Sequence, residues 1–255
     1  VVIMGLQLLA THLIWGRRMH ASDEARARVL DYRPADAITD HTLLWQSLSV
    51  LGLVITGFVT ARQTGLEPGT VAMFGAAWLM YLYIRGHHAE AQSSHVHEVF
   101  GEVEWITIFF FVGLFMVVAG VEHAGLLGHL AQGLMGLTAG DPTVTALTIL
   151  WSSAILSAII DNIPFVATMI PMIKNMAPSM GGAEGLMPLW WALSLGACLG
   201  GNGTLVGASA NLTVAGLAER DGVSFKFLTY TKLAFPLMLG SVAIAHVYLY
   251  FRFLS

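Results

Sequence analysis

The chain has 255 residues, of which 56% are hydrophobic and 11% charged, with a formal net charge of −4 and a mean hydropathy of +0.70. Soluble domains carry roughly 25% charged residues, so this composition excludes an ordinary water-soluble globule and indicates a membrane protein. Cys198 is the single cysteine, which excludes an intramolecular disulfide; its apolar neighbours suggest a buried, inert thiol.

The first 15 residues, VVIMGLQLLATHLIW, are apolar and are followed, not preceded, by Arg17 and Arg18. That order does not suit a secretory leader. The stretch is also shorter than the roughly 20 residues a bilayer requires. It reads as the tail of a membrane helix that begins upstream, so the chain is expected to be a piece of a longer protein. Residues 16–41 form a polar loop with Arg17, Arg18, Arg26, Arg28 and Arg33 and room for a short surface helix.

Residues 42–142 read as membrane helices and their connections. HTLLWQSLSVLGLVITGFVTA is one bilayer thickness long, and RQTGLEPG is a turn punctuated by Gly and Pro. TVAMFGAAWLMYLYI follows, with Tyr81 and Tyr83 as interfacial aromatics. Residues 85–104 are polar and form a surface helix, and WITIFFFVGLFMVVAGVEHAGLL is the next span. Residues 128–142 make an amphipathic connection.

The histidines of residues 85–104 (His87, His88, His95, His97), with Glu90 and Glu98, raise the question of a metal. The alternate pair in HVHE does not share a helical face, whereas His95 with Glu98, and Glu98 with Glu102, do. A solvated surface helix explains them better. The sequence holds no Gly-rich phosphate loop with its Lys, no HExxH and no GxSxG, so no enzyme is expected and no cofactor.

Two interruptions fall inside residues 143–232. DNIPFVATMIP (161–171) and LGGNGTLVGASAN (199–211) place polar groups and helix breakers in apolar runs. Irregular backbone at membrane depth is tolerated only where protein buries it or a wet cavity meets it. Pro164 disfavours helix at Ile163, and Gly200, Gly201 and Gly203 permit left-handed or extended backbone. Unwinding leaves half-helix ends, whose N–H groups suit anions and whose carbonyls suit small cations. Asn162, Asn202, Thr204, Ser209 and Asn211 add neutral polar side chains. Asp161, the one carboxylate in either break, is a candidate site residue by its position, with a helix cap as its structural alternative.

Charge placement suggests the topology. If 143–177 is a re-entrant hairpin and 189–218 a broken crossing helix, nine of the twelve Lys and Arg fall on one side. Only Arg62, Lys174 and Arg252 fall on the other. A full crossing by 143–177 would move Arg220, Lys226 and Lys232 to the poorer side. Residues 143–232 therefore read as one transport unit, and 233–255 as the final span. The expectation is an all-α, multi-pass integral membrane protein, in the plasma (inner) membrane if the source is bacterial. It would meet lipid and a small anion or cation substrate, and no nucleic acid.

SAIIDNIPFVATMIPMI and ALSLGACLGGNGTLVGASANLTVAGLAERDG resemble the C-terminal half of the ion transporter superfamily, and EVEWITIFFFVGLFMVVAGVEHAGLL resembles its span before the hairpin. The superfamily includes arsenite permeases, citrate permeases, NhaD-type antiporters and divalent anion/sodium symporters; the likeness is nearest to the P-protein-like branch and runs from about residue 35 to the end. The resemblance implies one repeat of an inverted-repeat transporter, with Asp161-Asn162-Ile163-Pro164 as the hairpin tip. It implies a site lined by Asn162, Thr168, Asn202, Gly203, Thr204, Ser209 and Asn211, to which the breaks themselves add Asp161 and Gly201, with Na⁺ expected near Asn162, Asn202 and Thr204. A homodimer and an absent N-terminal repeat follow from the same likeness. The expected function is secondary transport of an inorganic oxyanion or carboxylate, coupled to Na⁺ or H⁺ by alternating access. Na⁺/H⁺ antiport through Asp161 and a non-transporting structural subunit are the alternatives.

Overall fold

The computed structural model describes residues 2–16, 22–31, 38, 40–85, 88–220, 222–224 and 226–254. Arg17, Arg18, Arg33 and His87 of the sequence reading lie outside them. Among the described residues the regular structure is helical throughout. The chain divides into two compact units, one of Val1–Arg18 with Thr107–Ser255 and the other of Met19–Ile106.

The smaller unit holds α2 (Asp23–Asp31), α3 (His41–Thr64), α4 (Pro68–Ile84) and α5 (Ala89–Gly101). Asp40 caps α3 by accepting hydrogen bonds from Thr42 N (2.8 Å) and Leu43 N (3.0 Å), and Gly65 closes it in the left-handed region at φ 70°. α3 packs on α4. In α5, His95 Nδ1 lies 3.4 Å from Glu98, as the shared helical face requires. Among the described residues no three His, Cys, Asp or Glu groups gather as a metal site.

The larger unit holds α1 (Val2–Trp15), α6 (Trp105–His123), α7 (Leu126–Leu137), α8 (Pro142–Ser157), α9 (Asn162–Lys174), α10 (Met187–Gly200), α11 (Ser209–Arg220) and α12 (Phe227–Leu249). α6 straddles the division between the units. Asp141 caps α8 through Val144 N at 2.8 Å, with Pro142 in the first turn. α8 and α10 form the most extensive helix pair, and α12 packs on both. Their core includes Ile149, Leu150, Ala154, Leu189, Ala192, Ala197, Met238 and Val242, all buried. The final helix begins at Phe227, earlier than the expected 233, because FLTYTK continues the helical run.

α3, α6 and the stretch Phe227–Leu254 are long and apolar enough to cross a membrane. α6 leaves Ile106, Phe109 and Met116 exposed, which in water would be an unusual apolar surface and in hydrocarbon is the favourable one.

Candidate functional site

Both interruptions of the sequence lie at helix ends in the larger unit, and the structure brings them together. α8 ends at Ser157, a tight turn covers 158–160, and Asp161 opens α9. α10 ends at Gly200, one 3₁₀ turn covers Gly201–Gly203, bends follow to Gly207, and α11 starts at Ser209.

The unwound part of the first break is 158–161, three residues earlier than the expected Asp161–Pro164 tip. Pro164 falls in the first turn of α9, where its missing N–H costs no helical bond. Asp161 caps that turn, its Oδ1 accepting from Ile163 N at 3.0 Å, and it is half-buried. Asn162 is half-buried too. The Thr168 hydroxyl donates to Pro164 O within α9 at 3.0 Å.

The second break is held by side chains bonding backbone. The Thr204 hydroxyl donates to Ala158 O and accepts from Gly207 N at 3.0 Å. The Asn211 amide donates to Gly201 O at 3.1 Å and Thr204 O at 3.0 Å. Ser157, just before the first break, donates its buried hydroxyl to Ala197 O at 2.7 Å. Helix end is thereby tied to helix end: α8 and its turn to α10 and the loop after it.

The glycines serve this closeness rather than unusual backbone angles. Gly200 and Gly201 have right-handed φ of −61° and −55°, which corrects the left-handed or extended expectation. A Cβ on Gly200 would overlap the backbone of Ala154, and one on Gly201 would lie 2.8 Å from Gly207 O. Gly203 faces Met238 and Ala158 in the same way.

The expected site residues therefore separate into groups. Gly201, Gly203, Thr204 and Asn211 form the clasp, with Thr204 buried. Asn162 lines a cavity of about 330 Å³ with Phe115, Ile163, Ala167 and Cys198. Asn202 is exposed, its Nδ2 3.5 Å from Cys198 O, and lines a different cavity. Ser209 is exposed at the start of α11. Asn162, Asn202 and Thr204, the residues implied for Na⁺, thus face different surroundings.

Cys198 is exposed, contrary to the buried thiol expected from its neighbours. Gly196 and Gly200 turn the small face of α10 onto α8, which leaves Cys198 on another face. Ser157, Gly196 and Gly207 were missed as site-forming residues. The signal lay in the small residues four apart on both helices, SAILS and GACLG.

A family model described as citrate transporter matches residues 1–196. The chain belongs to the citrate transporter family. The match begins at residue 1, ahead of the start near residue 35 that the motifs suggested. The chain is 35% identical to the P protein of Sus scrofa over 262 residues, covering 95% of this chain and 30% of that protein. It is 36% identical to an uncharacterized transporter of Mycobacterium bovis over 253 residues, covering 99% of this chain and 56% of that one. A 46 kDa membrane protein of Mycobacterium leprae is 34% identical over 231 residues, with 91% and 52% covered. The chain thus spans between about a third and just over half the length of these relatives. This citrate transporter family member is an integral membrane protein.

Proposed function

We propose that this chain is the part of a secondary transporter that carries an inorganic oxyanion or carboxylate, coupled to Na⁺ or H⁺ by alternating access. The observation that supports it most is the clasp between the two breaks, Thr204 to Ala158 with Gly207 seated on Thr204. It makes the hairpin and the broken helix one body able to move together. Asn162, in a cavity beside the capped start of α9, is the natural contact for a substrate oxygen. The N-terminal repeat implied by the superfamily would supply the other half of the site, and a homodimer the immobile frame.

The lengths of α8 and α9 favour a re-entrant hairpin. Their 16 and 13 residues rise about 24 and 20 Å, short of the roughly 30 Å hydrocarbon core. The test is uptake by the full-length protein in proteoliposomes, across a panel of oxyanions and carboxylates, with and without a Na⁺ or pH gradient. Absence of gradient-driven uptake of every anion would overturn this reading.

Na⁺/H⁺ antiport remains a second reading because only Oδ1 of Asp161 is engaged in the cap. Cation-dependent proton movement in the same vesicles without any anion would favour it.

A further inference from the structure

The smaller unit holds a cleft of its own. α3 and α4 close on each other where Gly57 and Gly75 stand. A Cβ on Gly57 would lie 2.6 Å from Val71 Cγ1, and one on Gly75 would overlap Val54. From Gly75 toward the start of α3 and the end of α4, a cavity of about 590 Å³ lies between them, walled by Trp45, Val50, Leu53, Phe74 and Trp78. It shares Thr42, Gln46 and Leu82 with a second cavity, of about 600 Å³, which Asp40, Tyr83 and Arg85 also line. The two adjoin as one cleft, apolar along the helices and charged at its mouth. α3 is long enough to cross a membrane and α4 returns beside it. Asp40 and Arg85, before the one and after the other, thus stand at the same interface.

The polar groups of the cleft are not spent on each other. Asp40 uses Oδ1 to cap α3, and its Oδ2 has no partner among the described residues. Arg85 makes no ion pair among them, with Asp40 or any other acid. Two opposite charges therefore face one cavity without meeting. Gln46 is half-buried, and its side chain has no hydrogen-bond partner among the described residues. It lies about 9 Å along the helix from Asp40, on one face with Thr42 and Ser49. An unpartnered amide where the cleft turns apolar is costly, so a ligand oxygen at that depth is favoured.

The cleft fits an amphipath with a cation for Asp40, an anion for Arg85, an acceptor oxygen below for Gln46, and hydrocarbon beyond. An inorganic anion would meet Arg85 but be opposed by Asp40. A chainless zwitterion would leave the apolar walls uncovered. We propose that the α3–α4 cleft binds a phospholipid with a primary-ammonium headgroup, phosphatidylethanolamine. Its phosphate sits on Arg85 and its ammonium on Asp40 Oδ2. An ester carbonyl accepts from Gln46 Nε2, and one acyl chain runs along Phe74 and Trp78. A quaternary headgroup has no N–H to give the carboxylate, and an anionic headgroup without an amine leaves Asp40 opposed.

The experiment is thermal unfolding of the delipidated full-length protein in detergent. It is titrated with phosphatidylethanolamine, phosphatidylcholine or phosphatidylglycerol of identical chains, and with glycerophosphoethanolamine, the same headgroup without chains. Wild type should show a saturable rise in midpoint that needs least phosphatidylethanolamine, and no rise from the chainless headgroup. Asp40→Asn keeps the cap and removes the charge. It should raise half-saturating phosphatidylethanolamine about ten-fold, the size of one charge-assisted hydrogen bond, and leave phosphatidylcholine unchanged. Arg85→Gln should weaken all three lipids, because the phosphate is common to them. If Asp40→Asn does not fold, Arg85→Gln and the wild-type lipid preference decide. Equal responses to the three lipids in wild type would overturn the proposal, as would unaltered phosphatidylethanolamine binding in either variant. A chainless headgroup that acts as strongly as the lipid would overturn it too, since the cleft would then hold a soluble zwitterion. Native mass spectrometry of the same samples reads the oligomeric state. Trp78→Ala should weaken the lipid response and leave that state unchanged. If it instead dissociates an oligomer and leaves the lipid response intact, the cleft is a contact between copies and the proposal falls.

Discussion

The Thr204 hydroxyl has one proton and gives it to Ala158 O, while its oxygen accepts from Gly207 N. A buried group joining two backbone segments is costly to remove, because it leaves a carbonyl and an amide unsatisfied at once. Thr204→Val should lower the unfolding free energy of the full-length protein by about 1–3 kcal/mol, measured by denaturant or thermal unfolding. Thr204→Ser should keep most of it. Asp161 poses a different question, since its carboxylate caps α9 and also stands at a candidate site. Asn caps as well as Asp, whereas Ala costs about 1 kcal/mol. Under anion transport, Asp161→Asn should preserve both stability and uptake, and Asp161→Ala should lose stability. Loss of pH-dependent cation exchange in Asp161→Asn, with stability intact, would instead identify the carboxylate as a proton carrier. These variants separate the capping bond from the charge, which a single alanine substitution would confuse.

At the level of elements, α8 and α10 approach so closely that Gly196 and Gly200 have no room for a side chain; a Cβ would overlap the backbone of Leu150 and of Ala154. Gly200→Ala should therefore destabilise by about 1–3 kcal/mol, the usual range for overpacking, and impair uptake by parting the two breaks. Gly216→Ala is the control, because α11 leaves open space around that position. There, alanine should be neutral or stabilising by up to about 1 kcal/mol. The sequence made the helices readable because apolar length and Gly/Pro punctuation are local signals. It also marked both breaks, since DNIP and GGNGT put polar groups where hydrocarbon was expected. It did not show how the breaks are used. Whether Pro164 ends a helix or begins one depends on the direction from which the helix arrives. Whether Gly200 turns the chain or admits a neighbour depends on Ala154 of α8, far earlier in the chain. Cys198 was misjudged for the same reason: apolar neighbours in sequence do not tell which face of α10 is covered. Asn202 looked like a companion of Asn162 by motif, yet it shares its cavity with α1 and α12, elements that carry no motif at all.

At the scale of the whole molecule the open question is how often the chain crosses the bilayer, and charge and helix length bear on it together. The hairpin reading places nine of twelve Lys and Arg on one side, the asymmetry expected of cytoplasmic loops. It also explains why α8 and α9 are each too short to span alone. Under that reading the connection before α7 and the loop after α9 face the same compartment, and the segment before α12 faces the other. Single cysteines introduced into the full-length protein, with Cys198 and any cysteine outside these 255 residues replaced by serine, can read this directly. Ala124→Cys and Glu184→Cys, both at exposed positions, should react with a membrane-impermeant maleimide from the same side. Ser224→Cys, also exposed, should react only from the opposite side. Labelling of Ala124→Cys and Glu184→Cys from opposite sides would mean that residues 143–177 cross completely. Arg220, Lys226 and Lys232 would then lie on the side poorer in positive charge, and the clasp at Thr204 could not sit at a hairpin tip. Cys198 itself gives an independent reading of the same geometry. Cys198 lines the cavity with Asn162, so transported anion should slow its modification in otherwise unaltered protein while leaving Glu184→Cys labelling unchanged.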